Sequence, residues 1–402
     1  MSLWVQKFGG TSVGTPERIR AVAARIARAH SEGKRLAVVV SAMGHTTDEL
    51  IALATQVSTS RPHREMDMLL TAGERISMAL LSMALADLGV SAVSFTGSQS
   101  GIITDGSHSR ARIREIRPAR LKESLDAGRV VIVAGFQGVS PEKEVTTLGR
   151  GGSDTSAVAL AAALGAQGCE IYTDVDGIYS ADPRVVPGAR LHARLGLDHM
   201  VELATLGAGV LHPRAAQLAR KYRVPLWVRS SLNERSGTML VASEGMESLQ
   251  VAGVTADLSR CLVTIELMRD SVAGAVWDLS ASQQLSMVAP QFSRGRLQFF
   301  AELDSEGEWK KNLDQLVSQG FVREYRIDDT FVPLSLVGDR LAQDGAALSR
   351  VSDALSRAGV SVSLGSASTL SLTVAVPKTH AEDAVRELHA RFLGPESGGS
   401  KA

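Results

Sequence analysis

The sequence predicts an α/β protein whose first part is an open, mostly parallel sheet between helix layers, followed by a smaller α+β region. Three observations predict it. Up to about residue 242, short β-rich runs alternate with helical patterns, the mark of parallel strands joined by crossover helices. Glycine-rich, polar turns fall at the ends of those runs, the edge where open α/β sheets bind ligands. Beyond residue 248 the order becomes β-α-β-β-α, which fits a small ferredoxin-like sandwich.

Leu3–Phe8 reads as the first strand. Pro16 opens a helix whose apolar residues Ile19, Val22, Ala23 and Ile26 follow a three- and four-residue spacing. A buried strand follows at 36–40, a helical stretch from about Asp48, and a long helix over 67–88 that Gly89 closes. Further strands are expected at 91–95, Val130–Ala134, 170–173 and 226–228, with helices at 154–164 and 212–221 among them. These make a first domain of residues 1–242. The small, polar stretch SEGMES at 243–248 reads as a linker. A divergent unit is expected at 249–328, with strands at 262–267 and 298–303. A second unit at 329–394 has strands at 331–337, 360–364 and 370–376 and helices at 346–358 and 380–392. Residues 395–402 read as a disordered tail.

With 402 residues, 44% hydrophobic and 21% charged, the chain can bury a sizeable core. Its 43 basic and 43 acidic residues balance, so no charged field invites nucleic acid or an anionic membrane, and a small-molecule ligand is the default. No apolar run is long enough to cross a bilayer, and residues 1–8 lack a leader pattern. Cys169 and Cys261 have no metal spacing and read as buried small hydrophobes in a reducing cytoplasm. Lysine is scarce, nine against 34 arginines, so each lysine position is informative.

The first strand ends in Lys7-Phe8-Gly9-Gly10-Thr11-Ser12. Paired glycines let backbone N–H groups approach a polyphosphate, and the lysine sets a point charge beside it. This is not the GxxxxGK[ST] loop, because the lysine comes first; a plain strand-to-helix turn is the rival reading. The second strand ends in VVVSAMGHTTDEL, bringing Ser41 and Thr47 to the same rim, as ligand contacts or as turn and cap chemistry. In Leu148-Gly149-Arg150-Gly151-Gly152-Ser153-Asp154, an arginine that can hold a carboxylate bidentately stands between glycines at a helix start, and Asp154 caps the helix or orients a cation. Thr173-Asp174-Val175-Asp176-Gly177-Ile178-Tyr179-Ser180-Ala181-Asp182-Pro183-Arg184 offers three aspartates, an aromatic ring and an arginine for a nucleotide, or else an acidic turn; the calcium-loop spacing is absent. Glu74, in TAGERIS, reads on its own as a solvated helix-face residue. The nine histidines show no paired-ligand spacing, so no metal site is assigned, and His212 reads as a cap or packing residue at a helix start.

Together VQKFGGTSV, VVVSAMGHTTDEL, LTAGERIS, TTLGRGGSDTSA, YTDVDGIYSADPR and VPLWVRSS resemble the aspartate kinases (aspartokinases) of the amino-acid kinase family, in the family's order, from Val5 to about Thr238. The resemblance implies the amino-acid kinase fold followed by paired ACT domains. It implies transfer of the γ-phosphate of ATP, with Mg²⁺, to the β-carboxylate of L-aspartate. The product, 4-phospho-L-aspartate, begins the route to lysine, threonine and methionine. Lys7, Phe8, Gly9 and Gly10 fall on the phosphate positions, and Thr173, Asp174, Tyr179 and Arg184 on nucleotide positions. Ser41, Thr47, Glu74, Arg150 and Asp154 fall on the aspartate site. In that frame Arg150 clamps the α-carboxylate, Glu74 receives the α-ammonium, Lys7 neutralises phosphate charge, and Asp154 orients Lys7 without acting as a base.

Two departures stand out. Gly207-Ala208-Gly209-Val210 lacks the lysine that members often carry in Gly-Ala-Lys-Val. Neither ACT-like unit keeps the Pro-Gly turn before its helix: the first reads Asp270-Ser271-Val272-Ala273-Gly274, the second Gln343-Asp344-Gly345. Ser361 stands where an asparagine is expected, and Ser366-Ala367-Ser368-Thr369 replaces an acidic segment. The paired units imply a homodimer or larger homo-oligomer and an amino-acid effector. Kinases of acetylglutamate, glutamate or carbamate, and an amino-acid sensor without activity, are the competing readings.

Overall fold

The computed structural model describes residues 2–242, 251–360 and 365–394, in two compact units. The first is built from 2–178, 191–201 and 209–242, the second from 179–190, 202–208, 251–360 and 365–394. The expected linker at 243–248, the tail at 395–402 and most of the strand at 360–364 lie outside the described residues.

In chain order the strands up to residue 242 are β1 (Leu3–Phe8), β2 (Arg35–Val40), β3 (Ala92–Phe95), β4 (Ile102–Thr104), β5 (Ile113–Ile116), β6 (Val130–Ala134), β7 (Gln137–Val139), β8 (Val145–Thr147), β9 (Gly168–Thr173), β10 (Arg194–Gly196), β11 (Leu226–Ser230) and β12 (Thr238–Val241). The helices over the same stretch are α1 (Pro16–Ser31), α2 (Thr46–Val57), α3 (His63–Asp87), α4 (Ala119–Asp126), α5 (Gly152–Leu164), α6 (Leu197–Thr205) and α7 (Pro213–Tyr222). Eight strands form one sheet in the order β10-β12-β11-β9-β1-β2-β6-β3, parallel at every pairing except β11 with β12. The carboxyl ends of β9, β1, β2 and β6 therefore open side by side on one edge. The short β4, β5, β7 and β8 make a separate sheet, which the sequence pattern did not reveal.

Local chemistry explains why these segments fold as they do. Thr15 Oγ1 accepts from the Arg18 N–H and Pro16 fills the first turn, so α1 starts where its apolar stripe starts. Ile19, Val22, Ala23 and Ile26 pack with Phe8, Val38, Val40, Ile132, Leu81 and Leu85 on one face of the sheet. On the other face lies α5, apolar nearly all round and buried from Gly152 to Ala161. The long helix α3 begins at His63, four residues ahead of expectation, because Pro62 precedes a polar first turn that hides the periodicity. Among the described helices α3 alone is long and apolar enough to cross a membrane, which the sequence reading did not recognise. Here it is a core helix: Met78, Leu81 and Leu85 are buried against the sheet, and Asp67 and Glu74 are buried on it. Cys169 and Cys261 are free and buried, as expected.

The second unit contains β13 (Val251–Ala256), β14 (Arg260–Leu267), β15 (Val288–Ser293), β16 (Arg296–Glu302), β17 (Val322–Asp328), β18 (Phe331–Gly338), β19 (Gly365–Ala367) and β20 (Ser371–Pro377). Its helices are α8 (Ala273–Gln283), α9 (Glu306–Ser318), α10 (Gly345–Arg357) and α11 (Ala381–Leu393). They form two antiparallel four-stranded sheets, β15-β16-β14-β17 and β13-β18-β20-β19. The divergent unit is a genuine sandwich, with Trp309, Phe299, Val263 and Ile265 at its core. One assignment is corrected. Residues 251–256, expected in the first sandwich, pair along β18 and complete the second, so the first sandwich is inserted within the second.

Candidate active site

β1 alternates its side chains. Phe8 turns to the α1 side and is fully buried, stacked on Tyr172 with ring centroids 4.8 Å apart, while Lys7 turns towards α5. That rules out a ligand contact by the Phe8 side chain; only its backbone lies at the rim, and its C=O accepts from the Ser41 N–H (3.1 Å). Lys7 Nζ lies 2.7 Å from Asp154 Oδ1. Asp154 sits in the first turn of α5, and its Oδ2 accepts from the His212 N–H (3.4 Å). His212 caps α7, its Nδ1 accepting from the Arg214 N–H (3.3 Å), and burial holds the imidazole below its ordinary pKa. The cap expected of His212 is present. Gly151 has φ 65°, and a Cβ there would come within 2.1 Å of the His212 ring, so no other residue fits between Arg150 and α5.

Glu74 is not a solvated surface residue: it is only 4% exposed. Gly73 beside it lets the turn after β2 pack directly on α3, since a Cβ there would stand 2.7 Å from Ala42 Cβ. This approach brings the Ala42 N–H to Glu74 Oε1 (3.2 Å), while Oε2 has no hydrogen-bond partner. Burial pushes the Glu74 carboxyl up to about 7, against the lowering effect of its backbone hydrogen bonds. Thr47 lies in the first turn of α2, which has no side-chain cap, so cap chemistry does not explain Ser41 or Thr47. Arg150 stands exposed in the loop between β8 and α5.

Thr173 ends β9, its Oγ1 donating to Asp174 Oδ1 (3.1 Å) and its C=O accepting from the Ser231 N–H (2.7 Å). Of the three aspartates in this stretch, Asp176 accepts from Asn233 (2.7 Å) and pairs with Arg235, and Asp182 pairs with Arg184 (2.7 Å), which holds its carboxyl below the ordinary range. Lys7, Gly9, Gly10, Ser41, Thr47, Glu74, Arg150, Asp154, Thr173 and Asp174 all belong to the first unit, whereas Tyr179 and Arg184 belong to a segment of the second. Two residues escaped sequence reasoning. Arg214 donates to the C=O groups of Leu148 (2.6 Å) and Ala111 (2.9 Å), bracing the arginine loop. Asp67, buried on α3, could have been found from its seven-residue spacing to Glu74, which puts both on one helix face.

Residues 2–230 match the model of the amino acid kinase family, and residues 334–392 match an ACT domain. An aspartokinase of Mycolicibacterium smegmatis is 45% identical over 98% of this chain and 96% of its own length. The crystal structure of aspartate kinase from Synechocystis is 41% identical and covers 97% of this chain and 69% of that one, with a TM-score of 0.56. The crystal structure of E. coli aspartokinase III in complex with aspartate and ADP covers 97% of this chain and 100% of that one with a TM-score of 0.87; at 24% identity the likeness is one of fold.

Proposed function

This chain belongs to the aspartokinases of the amino acid kinase family, and from that premise we propose that it transfers the γ-phosphoryl group of ATP to the β-carboxylate of L-aspartate. The observation that carries the reading is Glu74. A buried carboxylate with one oxygen bonded to a backbone N–H and the other without a partner calls for a cation, and the α-ammonium of an amino acid supplies it. Arg150, in its loop of glycines, clamps the α-carboxylate, and Ser41 and Thr47, after β2, contribute further polar contacts to the amino acid. A substrate that needs both anchors is a free amino acid, which favours aspartate over carbamate or an N-acetylated acid.

In the reaction a β-carboxylate oxygen attacks the γ-phosphorus, the bond to the β,γ-bridging oxygen breaks, and ADP leaves with that electron pair. A carboxylate is already ionised at neutral pH, so no general base is required. Catalysis is alignment and charge neutralisation. Lys7 supplies the charge, Gly9 and Gly10 bring backbone to the phosphates, and Asp154 holds the Lys7 ammonium in place. Thr173 and Asp174, at the end of β9, serve the rest of the nucleotide. Mg²⁺ would enter on the phosphates of ATP, as part of the substrate, and offset their charge. The ACT pair serves an amino-acid effector and joins copies of the chain into a homodimer or larger assembly in the reducing cytoplasm.

The test is to supply ATP, Mg²⁺ and L-aspartate, and to trap the acyl phosphate with hydroxylamine. Aspartyl hydroxamate should form in step with ADP. Absence of turnover with aspartate, or equal turnover with glutamate or N-acetylglutamate, would overturn the reading.

A further inference from the structure

Asp67 stands two helical turns before Glu74 on α3 and is fully buried. Its carboxylate has no lysine or arginine partner among the described contacts and collects four hydrogen bonds from two separate segments. The Ser109 N–H reaches Oδ1 (3.0 Å) and Oδ2 (3.1 Å), Thr147 Oγ1 donates to Oδ1 (2.6 Å), and His108 Nδ1 lies 2.7 Å from Oδ2. Thr147 ends β8, three residues before Arg150. Ser109 is held at φ 68°, a strained conformation for a residue with a Cβ, and its C=O abuts Gly149, where an added Cβ would come within 2.9 Å. The segment of His108 and Ser109 is thus fastened against the root of the arginine loop, and one carboxylate fastens both to the helix that carries Glu74.

We infer that Asp67 is a positioning residue for Arg150: it fixes the distance between the two groups that grip the amino acid, Arg150 and Glu74, by tying the arginine loop to α3. The inference rests on the reading that Arg150 and Glu74 hold the substrate, and it adds a residue outside that set. A carboxylate suits this place, since the Ser109 N–H and Thr147 Oγ1 both donate into it and an ionised Asp67 makes His108 Nδ1 a donor as well. Asparagine would turn an NH₂ group towards the Ser109 N–H or the His108 ring, and the loop would shift. Among the described residues the bonds of Asp67 run to His108, Ser109 and Thr147 alone, so the effect is expected on the amino acid and not on the nucleotide.

The experiment is steady-state kinetics of the full chain for Asp67→Asn, Thr147→Val, Arg150→Lys and the double variant Asp67→Asn/Arg150→Lys. Asp67→Asn should raise the aspartate KM about tenfold or more and leave the ATP KM within about twofold. The double variant should be no worse than the worse single, because Asp67 acts through Arg150. An equal rise in both KM values, or losses that multiply in the double variant, would overturn the inference. Should Asp67→Asn fail to fold, Thr147→Val carries the test: it should raise the aspartate KM alone by about threefold or more, and an unchanged value overturns it. If Arg150→Lys leaves the aspartate KM unchanged, the substrate reading itself falls; if it raises that KM while Asp67→Asn does not, only this inference falls.

Discussion

Lys7 Nζ and Asp154 Oδ1 stand 2.7 Å apart, so a single ion pair joins the end of the central strand to the helix that begins at the glycine loop. Both side chains are nearly buried, at 12% and 11% exposure, which keeps the ammonium aimed and only lightly solvated. In the proposed reaction, phosphate oxygens entering beside it would meet a charge already in position, with little left to reorganise. Lys7→Ala should therefore lower kcat by on the order of 10²-fold or more. Asp154→Ala should add only about a fewfold further loss on the Lys7→Ala background if it works through the lysine. A Lys7→Ala enzyme within a few-fold of wild type would remove Lys7 from the mechanism.

Glu74 predicts a pH dependence whose sign is fixed by burial. Its folded pKa lies above its unfolded value, so the proton is held more tightly in the native state. The stability Glu74 contributes is present below about 4.5 and is lost as pH rises through about 7, a change of about 3 kcal/mol in the absence of ligand. On the proposed reading aspartate binds the ionised form, so kcat/KM for aspartate should rise with pH through a midpoint near 7. Binding at pH 6 should release close to one proton, measurable by calorimetry in buffers of different ionisation enthalpy. Glu74→Gln should abolish the release and raise the aspartate KM. A flat kcat/KM profile from pH 6 to 8 would show that Glu74 does not meet the ammonium.

Arg150 is tested by its closest charge-preserving change. An ammonium cannot reproduce a two-pronged grip on a carboxylate, so Arg150→Lys should chiefly raise the KM for aspartate and spare that for ATP. Equal damage to both would assign the loop to the nucleotide.

How much of this was legible in the sequence follows the range of the interactions. β1, α1, β6 and the start of α5 were readable because their signals are local: a β-rich run, a proline in a first turn beside an apolar stripe, a glycine pair. The strands β4, β5, β7 and β8 are three or four residues long, too short for any alternation to register. The place of β13 depends on pairing with β18 some eighty residues away, and no local pattern reports that. Glu74 was found only through its surrounding motif, since its burial comes from Ala42 closing over Gly73 across the chain. Asp67 was missed for the same reason: its partners Ser109 and Thr147 are distant in sequence.

Gly209 stands where the resemblance expects a lysine, and the space around it is open: an added Cβ meets nothing within 4 Å. It is not among the residues with positive φ, so a longer side chain brings no backbone strain. Gly209→Lys should leave thermal stability unchanged or raise it by up to about 1 kcal/mol through the unfolded chain. If the position faces the phosphates, the new charge should lower the ATP KM or raise kcat severalfold. Unchanged kinetics in a stably folded variant would mean that the charge is not used here.

The last prediction concerns end-product control, which should be weak. An ACT domain of the expected kind uses the N–H groups at a helix start to hold an effector carboxylate. In the second sandwich those donors are already taken: Asp344 caps α10, accepting from Ala346 N–H (2.9 Å) and Ala347 N–H (3.2 Å). Ser368, in the stretch that replaces the acidic segment, donates to Glu202 (3.3 Å), as does Ser371 (2.5 Å). Ser361 lies outside the described residues. In the first sandwich a short turn, Asp270–Val272, leads into α8 without a side-chain cap and without a proline to set it. Losing two or three effector hydrogen bonds, each worth ~1 kcal/mol, weakens binding roughly ten- to a hundredfold. Steady-state inhibition by lysine, threonine and both together, up to about a few millimolar, should accordingly be slight. Asp344→Gly frees the two N–H groups at a cost of only a few tenths of a kcal/mol in helix capping and should deepen any inhibition seen. Strong inhibition of the unaltered chain by either amino acid alone in the micromolar range would show that these substitutions do not matter, and that effector recognition lies elsewhere in the two sandwiches.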